Sequence, residues 1–391
     1  MKIRVPYYYK DFKCIASECP DTCCAGWEIV IDEDTYDKYK KVDTDFGNSL
    51  HSDIIKYEDG EPGFRLKNNN CAFLNKNLLC DIYSNLGEDY LCHTCKTFPR
   101  IIEEYGNLRE ITLSLSCPEA ARLILKDNKK LDFEVTENDE FVTSYNSISA
   151  DLYIQILGAR QVAFNIIQKT NFNLNTRISI LLMFAKEIQE NIDECEISKI
   201  TEIRKKYSDK TFLEDLALSL DKFKENTEKK YSLINEYFNV FNGLEKINEN
   251  WNITIHYAID ILFNKNDSNF YKNSINRFDD YYKNNQYEFE NLFTYFIFRY
   301  FMKSLYDADL LSKIKLSILS LVAIKVLDVV RFIDNSFNFT LADAIDISHM
   351  YSKDIEHSEE NIEKLYTIFN EDENFNVNNL LTILKWTTLH L

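Results

Sequence analysis

The sequence predicts a mostly α protein: a small, loop-rich cysteine domain with short β-hairpins, followed by an irregular all-α helical domain. Three observations carry this. All five prolines precede residue 119 and six of the eight glycines precede residue 107. Nine of the ten cysteines lie at or before Cys117. Beyond residue 120 apolar side chains recur at helical spacing. Gly and Pro are the main breakers of regular structure. The boundary is therefore drawn at 120, with a cysteine-rich, metal-binding domain in 1–120 and a helical domain in 121–391. At roughly 150 residues per domain, 391 residues suit two or three such units.

In the first segment Trp27, Ile29 and Ile31 alternate and then meet Asp32-Glu33-Asp34-Thr35. That pattern predicts a strand followed by a helix N-cap. Asn68-Asn69-Asn70 and Asn75-Lys76-Asn77 predict tight turns around Cys71 and before Cys80. Ile111, Leu113 and Leu115 alternate with Thr112, Ser114 and Ser116 after Gly106-Asn107, which predicts a hairpin over 101–115. Few long apolar runs accompany these pieces, so the segment has a thin core and something else should hold it together.

In the second segment Leu152, Tyr153, Ile156, Leu157, Ala163, Phe164 and Ile167 form one helical stripe. Ile178, Leu181, Leu182, Phe184, Ala185 and Ile188 form another, and Ile314, Ser317, Ile318, Leu321, Val322 and Leu327 a third. Asn- and Asp-rich stretches at 171–175 and 266–269 separate helices. No fixed-period repeat is present.

Charge and hydropathy exclude several classes of function. Residues 1–120 hold 14 basic and 21 acidic side chains, and the whole chain carries a formal charge of −18. Binding to phosphate backbones draws its affinity from neutralised charge, so nucleic acid is not expected as a partner. The apolar stretch 316–324 runs nine residues between lysines, against the ~20 needed to span a bilayer. The N-terminus Met1-Lys2-Ile3-Arg4-Val5-Pro6-Tyr7 lacks the apolar core of an export signal. A soluble, cytoplasmic protein without a membrane partner is expected.

The cysteines Cys14, Cys19, Cys23, Cys24, Cys71, Cys80, Cys92, Cys95 and Cys117 are too dense to be ordinary core residues. A disulfide framework suits short secreted chains, and this cluster is odd in number. Metal or iron–sulfur ligation fits better, since thiolates bind soft metals and a metal site can replace missing apolar burial. Cys92-x-x-Cys95 is half of a zinc pattern, but no second Cys-x-x-Cys completes it. Cys19-Pro-Asp-Thr-Cys23-Cys24-Ala-Gly26 begins like the Cys-x3-Cys-x2-Cys loop of radical S-adenosylmethionine enzymes, with Gly26 in the third place. Neighbouring Cys23 and Cys24 are expected to point in different directions. Cys195, in the helical half, is expected to take no part.

The order Phe12-x-Cys14-x4-Cys19-x3-Cys23-Cys24-x-Gly26-Trp27-x-Ile29, then Cys71-x-Phe73-Leu74, Cys80, His93-Thr94-Cys95-x2-Phe98-Pro99-Arg100, and Leu113-Ser114-Leu115-Ser116-Cys117-Pro118-Glu119 resembles flagellin lysine-N-methylases. Its middle section also resembles the wider family of zinc- or iron-chelating cysteine domains. The resemblance covers about residues 10–122. It implies methyl transfer from S-adenosylmethionine to lysine ε-amines of flagellin, in an enzyme with a 4Fe–4S cluster. The cysteines that match are Cys14, Cys19, Cys23, Cys24, Cys71, Cys80, Cys95 and Cys117. Cys92 stands outside the pattern as an extra thiol. Cys23, Cys71, Cys80 and Cys95 are taken first as ligands, with Cys19 and Cys117 next.

The chemistry requires a neutral amine, yet lysine with a pKa of about 10.4 is about 99.9% protonated at pH 7. The site must desolvate the ammonium or remove its proton. Aromatic walls suit a sulfonium or ammonium. Trp27 and Tyr83 are the aromatic pocket candidates, and Arg100 is the candidate partner of the donor's carboxylate. His93 is expected to be an ordinary hydrogen-bonded histidine, and His51, His256, His349, His357 and His390 receive no role. No catalytic base is legible. No Gly-x-Gly-x-x-Gly follows a strand, so a Rossmann-type pocket is disfavoured. Zinc in place of the cluster remains open. Two other readings stand beside the enzyme: a non-catalytic metal or iron–sulfur interaction module, and a redox protein using the same thiolates.

Overall fold

The computed structural model describes residues 1–57, 60–140, 148–222 and 226–385. His390 lies outside the described residues. The predicted helices are present: Leu174–Asp193 and Leu310–Asp334 bury the stripe read from the sequence, and Ala150–Ile167 buries all of its stripe but Tyr153 and Leu157, which are half-buried. The polar clusters between them cap helices. Asn173 and Asp267 accept hydrogen bonds from the backbone N–H groups of Thr176 and Phe270 and start Leu174–Asp193 and Ser268–Tyr281. A side-chain oxygen at this position satisfies an N–H that the first turn leaves without an intrahelical partner.

The hairpin is also present, with Arg100–Tyr105 paired antiparallel to Leu108–Leu113 through Gly106-Asn107. Gly106 takes φ +60° at the first turn position, which is open to glycine and strained for other residues. The hairpin is half of a four-stranded sheet. Lys2–Pro6 lies parallel to Leu108–Leu113, and Phe133–Glu137, a strand the sequence did not announce, closes the far edge. The sheet therefore joins residues on both sides of position 120.

Two hydrophobic clusters divide the chain. The smaller holds Ile29, Ile31, Tyr39, Val42, Leu50, Phe64, Phe73 and Ile82, with Cys71 and Cys92 as members. The larger runs from Tyr8 through Leu113, Cys117 and Leu125 to Leu384.

The strand predicted at Trp27, Ile29 and Ile31 does not form. Its backbone is extended but meets the strand Pro62–Phe64 at one bridge, Val30 to Gly63, flanked by the bonds Ile31 N–H to Pro62 O and Phe64 N–H to Ile29 O. Pro62 has no N–H, so the ladder ends there. Asp32 does cap the following helix Glu33–Tyr39, accepting from Thr35 N–H.

Where the helices carry the sheet, Arg160 is buried at 1% exposure and forks onto Glu110, itself 4% exposed, with Nη1 2.7 Å from Oε2. Arg4 Nη1 adds a third contact at 3.1 Å. Removing the carboxylate leaves a buried guanidinium without its counter-charge. Glu110→Gln is expected to lower unfolding free energy by roughly 3–5 kcal/mol, read by urea denaturation. A loss below about 1 kcal/mol would assign the pair the weight of a surface ion pair.

A second buried acid titrates near neutrality. Asp354, in the π-helical turn Ser352–Glu356, accepts from Asn248 N–H at 2.7 Å, and burial pushes its carboxyl up to about 7. An ordinary Asp titrates near 3.9. The folded protein thus holds this proton over a pH range where the unfolded chain has lost it. Its stabilisation is complete below about pH 4 and is lost as pH rises through about 7. Asp354→Asn keeps the acceptor and removes the titration. The variant's stability relative to wild type should rise between pH 5 and pH 8, and parallel curves would refute the assignment.

Candidate functional site

Turn chemistry delivers the thiols. Asn68 and Asn69, at φ +52° and +63°, close a two-residue hairpin between Leu66–Lys67 and Asn70–Cys71, so Cys71 sits at the strand end. Asn tolerates this left-handed conformation better than most residues. Asn75 Oδ1 accepts from Asn77 N–H and Leu79 N–H, and the turn places Cys80 opposite Leu74. Cys71 N–H donates to Cys24 O at 2.7 Å, and Gly26 N–H donates to Asn69 O at 2.9 Å, which docks the 23–26 loop on that hairpin. Cys92 and Cys95 flank the first turn of the short helix His93–Thr97. Asp32 Oδ2 accepts from His93 N–H at 2.6 Å and joins that helix to the Glu33–Tyr39 cap.

Cys71 and Cys92 are buried in the small core, and Cys24, Cys80 and Cys95 pack against it. Cys23 Sγ lies 4.0 Å from Cys24 Sγ, so the neighbouring thiols converge instead of diverging as expected. The loop closure explains this: Trp27 Nε1 donates to Cys23 O and Cys24 N–H to Thr22 Oγ1, curling residues 22–27 into a tight bend. Cys92, set outside the family pattern, belongs to this group by position. Cys14, Cys19 and Cys117 form a second group within electrostatic reach of one another, with Cys19 also near Cys23, and Cys117 is buried in the larger core. Cys195 is exposed and distant in the chain, at the end of Leu174–Asp193.

The thiols interact electrostatically. A hydrogen bond within the pair lowers Cys23 to about 7 and raises Cys24, and the corresponding bond lowers Cys92 and raises Cys95. Burial pushes Cys71 up to about 11, raises Cys80, and pushes Cys117 up to about 12. Nearby thiols add to the rise at Cys71 and Cys80. All ten cysteines are free.

Among the described residues no three His, Cys, Asp or Glu side chains are arranged to hold a single metal ion as they stand. A cluster of several ions takes thiolates spaced more widely than one tetrahedral ion does, so this geometry does not conflict with a cluster. In kind and number the donors fit one: six thiols, none in a disulfide, gathered in and around a core of ten buried side chains that includes Cys71 and Cys92.

Beside the thiol group lies a small cleft, open to solvent, whose free space of about 10 Å³ is room for about one water molecule. The cysteine segment supplies Thr22, Cys23, Gly26, Trp27, Phe98 and Ser116, and the helical segment supplies Ile247, Lys353 and His357. Trp27 lies 5.9 Å from Phe98 and 5.8 Å from His357 between ring centres, and Phe98 lies 6.2 Å from His357. Gly26, at φ +88°, brings its backbone close to Ile247 and Lys353. Lys353 Nζ bonds Asp21 Oδ2 at 2.7 Å and Thr22 O at 3.3 Å, pinning the thiol loop to the helices.

His357 follows the π-helical turn Ser352–Glu356, an irregularity common at functional sites. Its Nε2 lies 2.6 Å from Ser116 Oγ and 3.3 Å from Ser114 Oγ. Burial, with help from Arg299 and Lys353, lowers its pKa to about 4, so the ring is neutral at pH 7. Glu356 beside it is half-buried and accepts from the hydroxyls of Tyr300, at 2.8 Å, and Tyr295.

Trp27 thus lies in the cleft wall. Tyr83 is exposed on the helix Asp81–Leu86, and the Arg100 guanidinium stacks over Phe12 and Tyr9; neither lines the cleft. Phe98, Ser116, Lys353 and His357 are the residues that the sequence reading did not single out for a pocket. Phe98 and Ser116 fall inside the quoted motifs. His357 carries no sequence signal, since its partners lie about 240 positions away.

Among the described residues no helix is long and apolar enough to cross a membrane. No solved structure matches the chain. The lysine-N-methylase of Salmonella typhimurium is 36% identical over 128 residues, 31% of this chain and 32% of that protein. The same figures hold for the lysine-N-methylase of Salmonella choleraesuis, so the match spans about a third of the length of these two relatives. The flagellar biosynthetic protein FliU of Salmonella muenchen is 35% identical over 128 residues, 31% of this chain and 76% of that protein. A family profile described as the FliB lysine N-methylase C-terminal domain matches residues 160–383, more than half of the 391. That region holds all three residues that the helical segment gives the cleft, Ile247, Lys353 and His357, and by this match the chain belongs to the FliB lysine N-methylase family.

Proposed function

We propose that this protein is a cytoplasmic lysine N-methyltransferase that transfers methyl groups from S-adenosylmethionine to lysine ε-amines of flagellin, and that its N-terminal cysteines hold a 4Fe–4S cluster. The observation that carries the reading is the cleft: an aromatic corner of Trp27, Phe98 and His357, built jointly by the cysteine segment and the family-matched helices. Aromatic faces attract sulfonium and ammonium groups, and the buried wall disfavours a charged amine. The names of the relatives, lysine-N-methylase and FliU, support a flagellar protein as the substrate.

Cys71, Cys80 and Cys95, with a member of the Cys23–Cys24 pair, would hold the cluster, and Cys92 lies close enough to be an alternative. When bound, such a cluster crosslinks the loops of a domain that buries few apolar side chains. Trp27 and Phe98 give the cleft an apolar wall. Lys353 holds the loop that carries Trp27.

Incubation of the anaerobically purified protein with methyl-labelled S-adenosylmethionine and flagellin should place label on lysine. An intact cluster with no labelled lysine would leave the non-catalytic interaction module as the surviving reading. Iron per chain should fall in Cys71→Ser and Cys95→Ser and remain at the wild-type value in Cys195→Ser. Equal loss in all three would overturn the partition of the thiols, and zinc in place of iron would overturn the cluster.

A further inference from the structure

We propose that Ser116 is the hydrogen-bond acceptor that seats the incoming lysine ε-amine in the cleft, and that His357 is the positioning residue that fixes the Ser116 hydroxyl. This deepens the methyltransferase reading and rests on it.

A neutral primary amine presents two N–H donors and one lone pair. Attack requires the lone pair to point at the methyl carbon, in line with the C–S bond. An acceptor on the N–H side achieves this; a donor would occupy the lone pair. In the transfer the amine's lone pair forms the N–C bond and the C–S bond breaks. Its electron pair stays on sulfur, which becomes a neutral thioether. The ammonium sheds one proton to solvent before attack, and the methylated product sheds its extra proton to solvent afterwards. The seat must therefore supply an acceptor and need not supply a base.

None of the residues lining the cleft is a carboxylate. Ser116 is buried, and its Oγ lies 2.6 Å from His357 Nε2 and 2.8 Å from Ser114 Oγ. Ser114 Oγ in turn accepts from Ser116 N–H at 3.3 Å. We assign His357 Nε2 as acceptor, because a neutral imidazole has one acceptor nitrogen and this pattern then closes. Ser116 donates to His357 and receives the Ser114 hydroxyl, which leaves one Ser116 lone pair for an N–H in the cleft. A hydroxyl free to rotate could present its hydrogen to the amine; the bond to His357 removes that freedom.

The same wall selects the substrate. Lys353 Nζ lines the cleft, bonded to Asp21. A lysine can enter as a neutral amine with a free lone pair, whereas an arginine keeps its charge and offers none.

The test uses the full chain carrying its iron, flagellin and labelled S-adenosylmethionine. Ser116→Ala should lower kcat for lysine methylation by ~10–100-fold while iron content and the donor's Kd by calorimetry stay at wild-type values. His357→Ala should do the same, and His357→Gln, which returns an acceptor, should recover part of the rate. Label transfer by wild type with an unchanged kcat in Ser116→Ala overturns the seat and leaves the methyltransferase reading standing. No transfer by wild type overturns both. If Ser116→Ala loses its iron or its fold, the two His357 variants decide: recovery in Gln supports the assignment, and equal loss in Ala and Gln overturns it.

Discussion

The ion pair between Lys353 and Asp21 is the contact on which the two halves of the site depend. One loop, residues 19–27, carries Cys19 and Cys24 away from the cleft and Thr22, Gly26 and Trp27 on its wall, with Cys23 both lining the cleft and pairing with Cys24. Lys353 binds this loop at two oxygens, and Asn69 Nδ2 reaches Ile247 O from the neighbouring hairpin. The lysine side chain is 12% exposed and Asp21 29%. The pair therefore keeps some solvent and avoids the full desolvation cost of a buried salt bridge. A movement of the thiols moves the cleft wall as well, because they share a backbone.

The small core explains why a thiol-bound centre suits this segment. Its fully buried members number about ten side chains, two of them cysteines. At about 0.8 kcal/mol per buried methylene, such a core is a weak source of stability for some ninety residues. Burial also keeps Cys71 and Cys117 protonated at neutral pH. A metal centre would have to displace those protons, so its affinity should strengthen as pH rises. The depressed thiols, Cys23 and Cys92, each sit beside a raised partner, which offers one readily ionised sulfur at either end of the group.

Local order was legible in the sequence and long-range convergence was not. Apolar stripes at 3.6-residue spacing predicted Ala150–Ile167, Leu174–Asp193 and Leu310–Asp334; the first two bury mainly one face against a common core and the third is buried nearly all round. The turns at Asn68-Asn69 and Asn75 were legible for the same local reason, since Asn tolerates the left-handed region and caps its own loop. The alternation at Trp27, Ile29 and Ile31 misled. Two of those side chains do face the small core, yet Pro62 denies them a ladder. The convergence of Cys23 and Cys24 was missed because a bend set by Gly26 and the Trp27 indole overrides the alternation of an extended chain. His357 was unreadable in principle: an isolated histidine gains its meaning only from two serines at the other end of the chain.

That last case bears on how the two segments share the work. The family-matched region, 160–383, contains none of the nine N-terminal cysteines, yet it provides Ile247, Lys353 and His357 to the cleft. The cysteine segment provides the aromatic faces and Ser116, yet no histidine to hold that hydroxyl. Each half thus contributes an incomplete set: faces without their fixed neighbour on one side, fixed neighbours without a wall on the other. The four-stranded sheet and the 114–117 turn, whose Leu115 N–H donates to Tyr295 Oη, hold the two sets in register. The cleft is in this sense a product of packing between segments, which is why neither the cysteine motifs nor the helical stripes could describe it separately.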